Sequence, residues 1–174
     1  MLNVFINTWG NYNENGADLG EWIALPMDED ELQEKLDEIA ERMHDDDPEW
    51  FINDYEWTID NSLRSIDENE NIFDLNEEIE KLDNLDDYQQ KVFLAAVDVW
   101  GYRYIDIDDL DEYNLYEDIE NEYDLGYYWA IESGCYDLKN MGTLANYIDF
   151  ESFGRDIQLE ADGGFSTYGW IEKC

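Results

Sequence analysis

Positive charge is what this chain lacks most. Its 174 residues contain nine Lys and Arg against 47 Asp and Glu, a formal net charge of -38 at pH 7. Nucleic acid and anionic lipid would both repel such a surface, which excludes electrostatic binding to either and makes basic partners the natural ones. Histidine and cysteine are almost as scarce. Cys135 and Cys174 are too few for a disulfide scaffold. His44, the single histidine, has no second histidine or cysteine pair at ligand spacing, so a solvated helix cap is expected there and a zinc site is not. No apolar run approaches the roughly 20 residues that span a bilayer. Met1 to Asn7 carries no basic segment ahead of an apolar one, so no secretory signal is expected either. The expectation is a cytoplasmic protein that neither enters membranes nor binds nucleic acid.

Acidity of this degree often marks disorder, yet 44% of the residues are apolar and 16% aromatic, with seven Trp and thirteen Tyr. That is ample material for a core, and the length suits one domain or a few small, closely joined ones. Duplex DNA carries one charge per roughly 1.7 Å of axis, so the chain's 38 uncompensated charges at that density would cover about 65 Å. A compact globule of this length would be only about 40 Å across. A DNA-like charge spacing therefore calls for an elongated molecule, and self-repulsion pushes the same way. Acidity that merely keeps the protein soluble is the plainer alternative. Soluble helices usually intersperse Lys and Arg with Glu on the exposed face, which this chain mostly does not.

Along the chain, residues 2 to 9 and 21 to 25 read as strands joined through the turn-rich segment Gly10 to Gly20, a long hairpin closed by Pro26. Asp28 with Glu31 resembles a capping box opening a helix to about Met43, with Leu32, Leu36, Ile39 and Met43 as its apolar stripe. The opposite face carries Asp30, Glu34, Asp37, Glu38 and Glu41, five carboxylates over about 16 Å. One DNA strand places about five phosphates in that length. Lys35 and Arg42 fall on the flank beside the apolar stripe. Asp45, Asp46, Asp47 and Pro48 form a loop, and Trp50 to Trp57 reads as a strand able to join the hairpin.

Beyond the polar stretch 60 to 71, two helices are expected. Asp74 and Glu77 are candidate caps for the first, with Leu75, Ile79 and Leu82 inward. Asp86 would open the second, which runs through Val92, Phe93, Ala96, Val97 and Trp100 to Gly101 as the buried centre of a small helical unit. Residues 104 to 112 alternate apolar and acidic residues, and both strand and short helix stay open. A helix over Asn121 to Ser133, another including Leu144 to Phe153, and a terminal strand from Phe165 to Ile171 complete the reading. The fold class is α+β. The expected domains are 1–60 (three-stranded sheet with one helix), 61–103 (helical middle) and 104–174 (C-terminal α+β).

Chemistry finds little support in this pattern. With 47 carboxylates, glycosidase-like pairs will occur in any fold and mean nothing by themselves. Calcium-loop frames starting at Asp45, Asp67 and Asp106 end correctly in Glu56, Glu78 and Glu117. Their sixth positions are Trp50, Ile72 and Asp111, where the loop's sharp turn needs glycine. No phosphate-binding glycine loop, dinucleotide fingerprint or nucleophile elbow is present. The cluster Tyr127-Tyr128-Trp129 lacks the basic groove that base-stacking platforms occupy, so core or interface packing is expected of it. No cofactor and no enzymatic activity are expected.

The segment Leu144-Ala145-Asn146-Tyr147-Ile148-Asp149-Phe150-Glu151-Ser152-Phe153-Gly154-Arg155-Asp156-Ile157 closely resembles the antirestriction motif of ArdA-type antirestriction proteins. Tyr127 to Gly134 is similar to the helix that leads into it. Val4-Phe5-Ile6, Gly10 to Glu14, Gly20-Glu21-Trp22 and Pro26 are similar to that family's opening hairpin. The resemblance implies an elongated, curved homodimer of small domains whose carboxylates imitate the phosphates of bent DNA. Such a protein blocks the DNA-binding channel of type I restriction-modification enzymes, formed by their specificity and modification subunits, and so protects mobile DNA. The acids expected to meet that partner are Asp30, Glu34, Asp37, Glu38, Glu41, Asp45, Asp46, Asp47, Asp108, Asp109, Asp111 and Glu112. The resemblance places the motif near the dimer contact, which implies a mixed structural role for Leu144, Tyr147, Ile148, Phe150 and Phe153. Asn146, Asp149, Glu151, Gly154, Arg155 and Asp156 share the motif, and Arg155 is expected to pair with Asp149, with Asp156, or across the dimer. Rival readings are a general acidic decoy or chaperone for another basic protein, a carboxylate-dependent hydrolase, and salt adaptation with no partner.

Overall fold

Leu2, Val4 and Ile6 are buried while Asn3 and Phe5 between them are less so, and this period of two makes β1 (Leu2–Thr8) the central strand of a sheet. The computed structural model describes residues 1–58, 63–136, 142–143 and 146–174. It is an α+β protein with two compact units, Met1–Leu85 and Asp86–Cys174.

In the first unit β1 pairs antiparallel with β2 (Glu21–Leu25) on one side and β3 (Trp50–Trp57) on the other. A register shift after Phe5 leaves Asn53 of β3 without a partner on β1, and Phe51 and Ile52 beyond it are both buried. The helix α2 (Glu29–Met43) brings Leu32, Leu36 and Ile39 to 2% exposure or less, as are Leu2, Val4, Ile6, Ile23 and Leu25 of the sheet. Asp28 caps α2 by accepting the Asp30 N–H at 3.0 Å. His44 ends it in the left-handed region (φ 57°), the capping role expected of it.

The segment expected to be only a turn, Gly10 to Gly20, instead begins as helix α1 (Trp9–Asn15). Thr8 caps it by accepting the Asn11 N–H at 3.1 Å. Asn7, Asn11 and Asn15, spaced by four, form a ladder of side-chain hydrogen bonds. Asn11 Nδ2 donates to Asn7 Oδ1 at 2.7 Å, and Asn15 Nδ2 to Asn11 Oδ1 at 3.1 Å. Asn7 is fully buried, and its Nδ2 also reaches the Gly16 carbonyl, so the polar group is satisfied. Turn-forming composition lost here to local side-chain bonding. Among the tryptophans of this unit, Trp57 is buried, Trp9 stacks on Phe51 with centroids 4.0 Å apart, and Trp22 is exposed.

Helix α3 (Ile72–Asp83) buries Leu75, Ile79 and Leu82 as expected, but its cap is Asn71, which accepts from the Phe73 and Asp74 amides, and not Asp74 or Glu77. Buried Asn76 ties α3 to the chain after β2 by accepting the Met27 N–H and donating to the Met27 carbonyl. Asp86 opens α4 (Asp87–Trp100) with a complete capping box to Gln89. The two helices read together as 61–103 thus fall in different units.

In the second unit α4 lies on a sheet of order β4-β6-β5, formed by β4 (Tyr113–Tyr116), β6 (Gly169–Lys173) and β5 (Gly163–Ser166). Thr167 N–H donates to Asp98 and Trp100 Nε1 to Asp162 across that contact. Residues 102–104 and 107–112 are 3₁₀ turns, the latter kinked at Asp109, so the alternating 104–112 segment is short helix rather than strand. The terminal strand expected over Phe165 to Ile171 is a hairpin. Gly169 turns the chain at φ 120°, and a side chain there would collide with the Tyr116 backbone.

α5 (Glu122–Tyr127), capped by Asn121, continues into a π-helical turn, Tyr128–Glu132. α6 (Phe150–Glu160) starts later than the helical stretch expected over 144 to 153, because Asp149 is its cap. Leu144 and Ala145 lie outside the described residues. α5 and α6 cross at two glycines, where the backbones meet. A Cβ on Gly126 would sit 1.9 Å from the Phe150 carbonyl oxygen, and one on Gly154 1.8 Å from that of Glu122. Buried Ile119, Leu125 and Trp170 form the core beneath, with Tyr116, Tyr128, Trp129, Ile157 and Phe165 packed around it.

Candidate functional site

Burying the apolar stripe of α2 turns its opposite face to solvent, and Asp30, Glu34, Asp37, Glu38 and Glu41 are all exposed there. The flanking cations are drawn away from that face. Lys35 Nζ and Arg42 Nη2 each lie 2.7 Å from a different oxygen of Glu21 on β2. The Lys35 contact, aided by Arg42 and opposed by partial burial, holds the Glu21 carboxyl below the usual carboxylate range. Lys35 makes only a longer, 3.8 Å approach to Glu38, and Asp37 accepts from Gln33 at 2.8 Å. The loop after α2 extends the acidic surface with exposed Asp46 and Asp47. Asp45 is half-buried, and its Oδ1 accepts the Asp47 N–H.

The same economy runs through the described residues. Lys35, Arg42, Arg64, Lys81, Lys91, Arg155 and Lys173 each pair with a glutamate of this chain. Four aspartates cap helices: Asp28, Asp86, Asp106 and Asp149 accept backbone N–H groups. Arg64 is the most enclosed of these paired cations, bound to Glu70 at 2.7 Å and to Glu78 at 2.8 Å. Partial burial penalises the charge, but the two carboxylates outweigh it and raise the guanidinium pKa.

In the second unit Asp108, Asp109, Asp111 and Glu112 are exposed along the 3₁₀ segment anchored by buried Leu110. Lys173 Nζ lies 2.9 Å from Glu112 and offsets its charge.

The motif residues divide between structure and surface. Phe150 meets the rings of Tyr123 and Tyr127 edge-on at 5.6 and 5.4 Å, and Phe153 meets Tyr136 at 5.6 Å. Gly154 is the buried half of the α5–α6 crossing. Asp149 accepts from the Ser152 N–H and hydroxyl at 3.0 and 2.8 Å, bonds that lower its pKa. Within the chain Arg155 pairs with Glu151 at 3.3 Å, one turn away, and not with Asp149 or Asp156. Asn146, Tyr147, Glu151 and Asp156 are exposed, Tyr147 to 85%, and Ile148 is half-buried. Leu144 lies outside the described residues. Sequence reasoning missed Glu21 and Gly126, whose roles depend on partners far along the chain. A glycine inside a helical pattern is the one signal that pointed to the second.

Fold and surface together define an acidic α+β protein whose own glutamates occupy most of its described cations. The chain belongs to the ArdA family of antirestriction proteins, whose family model matches residues 4–172 of the 174. No curated protein matches it. Among the described residues no helix is long and apolar enough to cross a membrane.

Proposed function

We propose that this protein imitates the charge and shape of bent duplex DNA and competes for the DNA-binding channel of type I restriction-modification enzymes. The observation that carries this reading is the outer face of α2, five exposed acids whose neighbouring cations are bound to Glu21 on the sheet side. Lysines and arginines of the specificity and modification subunits would meet carboxylates in place of phosphates, with condensed counter-ions released from both partners. The segments 45–47 and 108–112 extend the same surface chemistry. Exposed Tyr147, and Leu159 at 78% exposure, support a homodimer contact around the motif.

The test is competition. Purified protein is titrated into a type I enzyme bound to labelled duplex at two salt concentrations. Displacement near stoichiometric amounts that weakens at the higher salt is the expected result. No displacement at either salt removes the type I reading, and equal affinity for unrelated basic proteins would point to a general acidic decoy.

A further inference from the structure

Tyr116 at the end of β4, the turn that follows it, and the junction of α5 with the π-helical turn enclose a cleft of about 590 Å³, within the range of small-ligand sites, about 300–1,000 Å³. Its walls are not simply acidic. The rings of Tyr116 and Tyr128 lie 5.2 Å apart and tilted, and Tyr127 stands beside them, 39% exposed. The Tyr116 hydroxyl donates to Glu172 at 3.0 Å, which leaves its ring a neutral π surface.

Four carboxylates line the cleft, and two are already engaged. Glu117 is paired with Lys91, and Asp124 accepts from Asn121 Nδ2 at 2.7 Å. Asp118 and Glu132 also line it and make no ion pair among the described residues. The π-helical bond from Ser133 N–H to the Tyr128 carbonyl, 2.8 Å, accompanies the placing of Tyr128 and Glu132 on the same cleft.

We infer that this cleft is a guanidinium-binding site, which takes an arginine side chain of the basic partner between tyrosine rings and the Asp118 and Glu132 carboxylates. The inference rests on the proposed DNA mimicry and gives it a local anchor. A planar, weakly hydrated guanidinium stacks on aromatic faces and bonds carboxylates in a fork, whereas a compact ammonium does neither as well. A nucleotide is disfavoured because its phosphates would meet four carboxylates.

The full-length protein, labelled at tyrosine, is titrated with ethylguanidinium and separately with ethylammonium while ring resonances are followed by NMR. Saturable shifts at Tyr127 and Tyr128 are expected for ethylguanidinium, with binding about fivefold weaker for ethylammonium. The same weakening is expected in the Asp118→Asn/Glu132→Gln double variant and, as an independent check, in Tyr127→Leu, each confirmed folded by circular dichroism. Shifts spread evenly over all tyrosines, or an equal response to both cations, overturn the site. This readout needs no restriction enzyme, so it stands or falls apart from the competition assay. If the wild type displaces duplex and the double variant does so equally well, arginine capture at the cleft is overturned while mimicry survives.

Discussion

Glu21 accepts both Lys35 and Arg42, each at 2.7 Å, so a single carboxylate on β2 occupies both cations of the helix that lies over it. The consequence is a division of α2 into a neutralised side toward the sheet and an acidic side toward solvent.

Glu21→Gln is expected to lower the melting temperature by about 4 °C at neutral pH, since the pair is partly screened. The pH dependence has a definite sign. Glu21 has a lowered pKa in the fold, so its contribution is fully present above the unfolded value of about 4.5 and disappears as pH falls through the folded value. Parallel melts of both proteins from pH 7 to pH 3 should show the gap closing only at the acidic end. A gap independent of pH would count against the ion pair as its origin.

Replacing Asp30, Glu34, Asp37 and Glu41 together by amides should weaken inhibition in graded steps, because the charges are spread and each rim contact is small. The slope of log affinity against log salt should fall by about one for each acid replaced. Complete loss from any one substitution would contradict a distributed mimic and favour an indispensable carboxylate.

Alanine at Gly126 or Gly154 would place a Cβ within 2 Å of a backbone carbonyl oxygen that has no room to retreat. Destabilisation of about 3 kcal/mol or more is expected. Hydrogen exchange should report it first in α5 and α6, with amides of the first unit unchanged.

Arg64→Met should cost about 2 kcal/mol, because Glu70 and Glu78, each largely covered, would face one another without their shared cation. Urea denaturation measures this. The double variant with Glu70→Gln should recover part of the loss, and absence of any recovery would show that packing, not charge, was responsible.

Much of this molecule was legible in the sequence. The period of two in residues 2 to 8, the Leu32-Leu36-Ile39-Met43 stripe and the helix start at Asp86 are local patterns, set by neighbours a few residues away. They formed where expected. The α1 helix was hidden because turn-rich composition masked an asparagine ladder at helical spacing, a cue that composition cannot express. The final hairpin was hidden because the requirement for Gly169 comes from the Tyr116 backbone, more than fifty residues away.

The charge and its sign, the acidic face of α2 and the antirestriction motif belong to the sequence itself, since they need only residue identity and helical period. Tertiary structure decided where the cations went. An ion pair between Glu21 and Arg42 depends on strand and helix being packed together, and no spacing in the chain encodes that distance. The same holds for the meeting of Gly126 with Gly154 and for the tyrosine-lined cleft, because backbone approach and enclosed volume exist only once separate segments share a core.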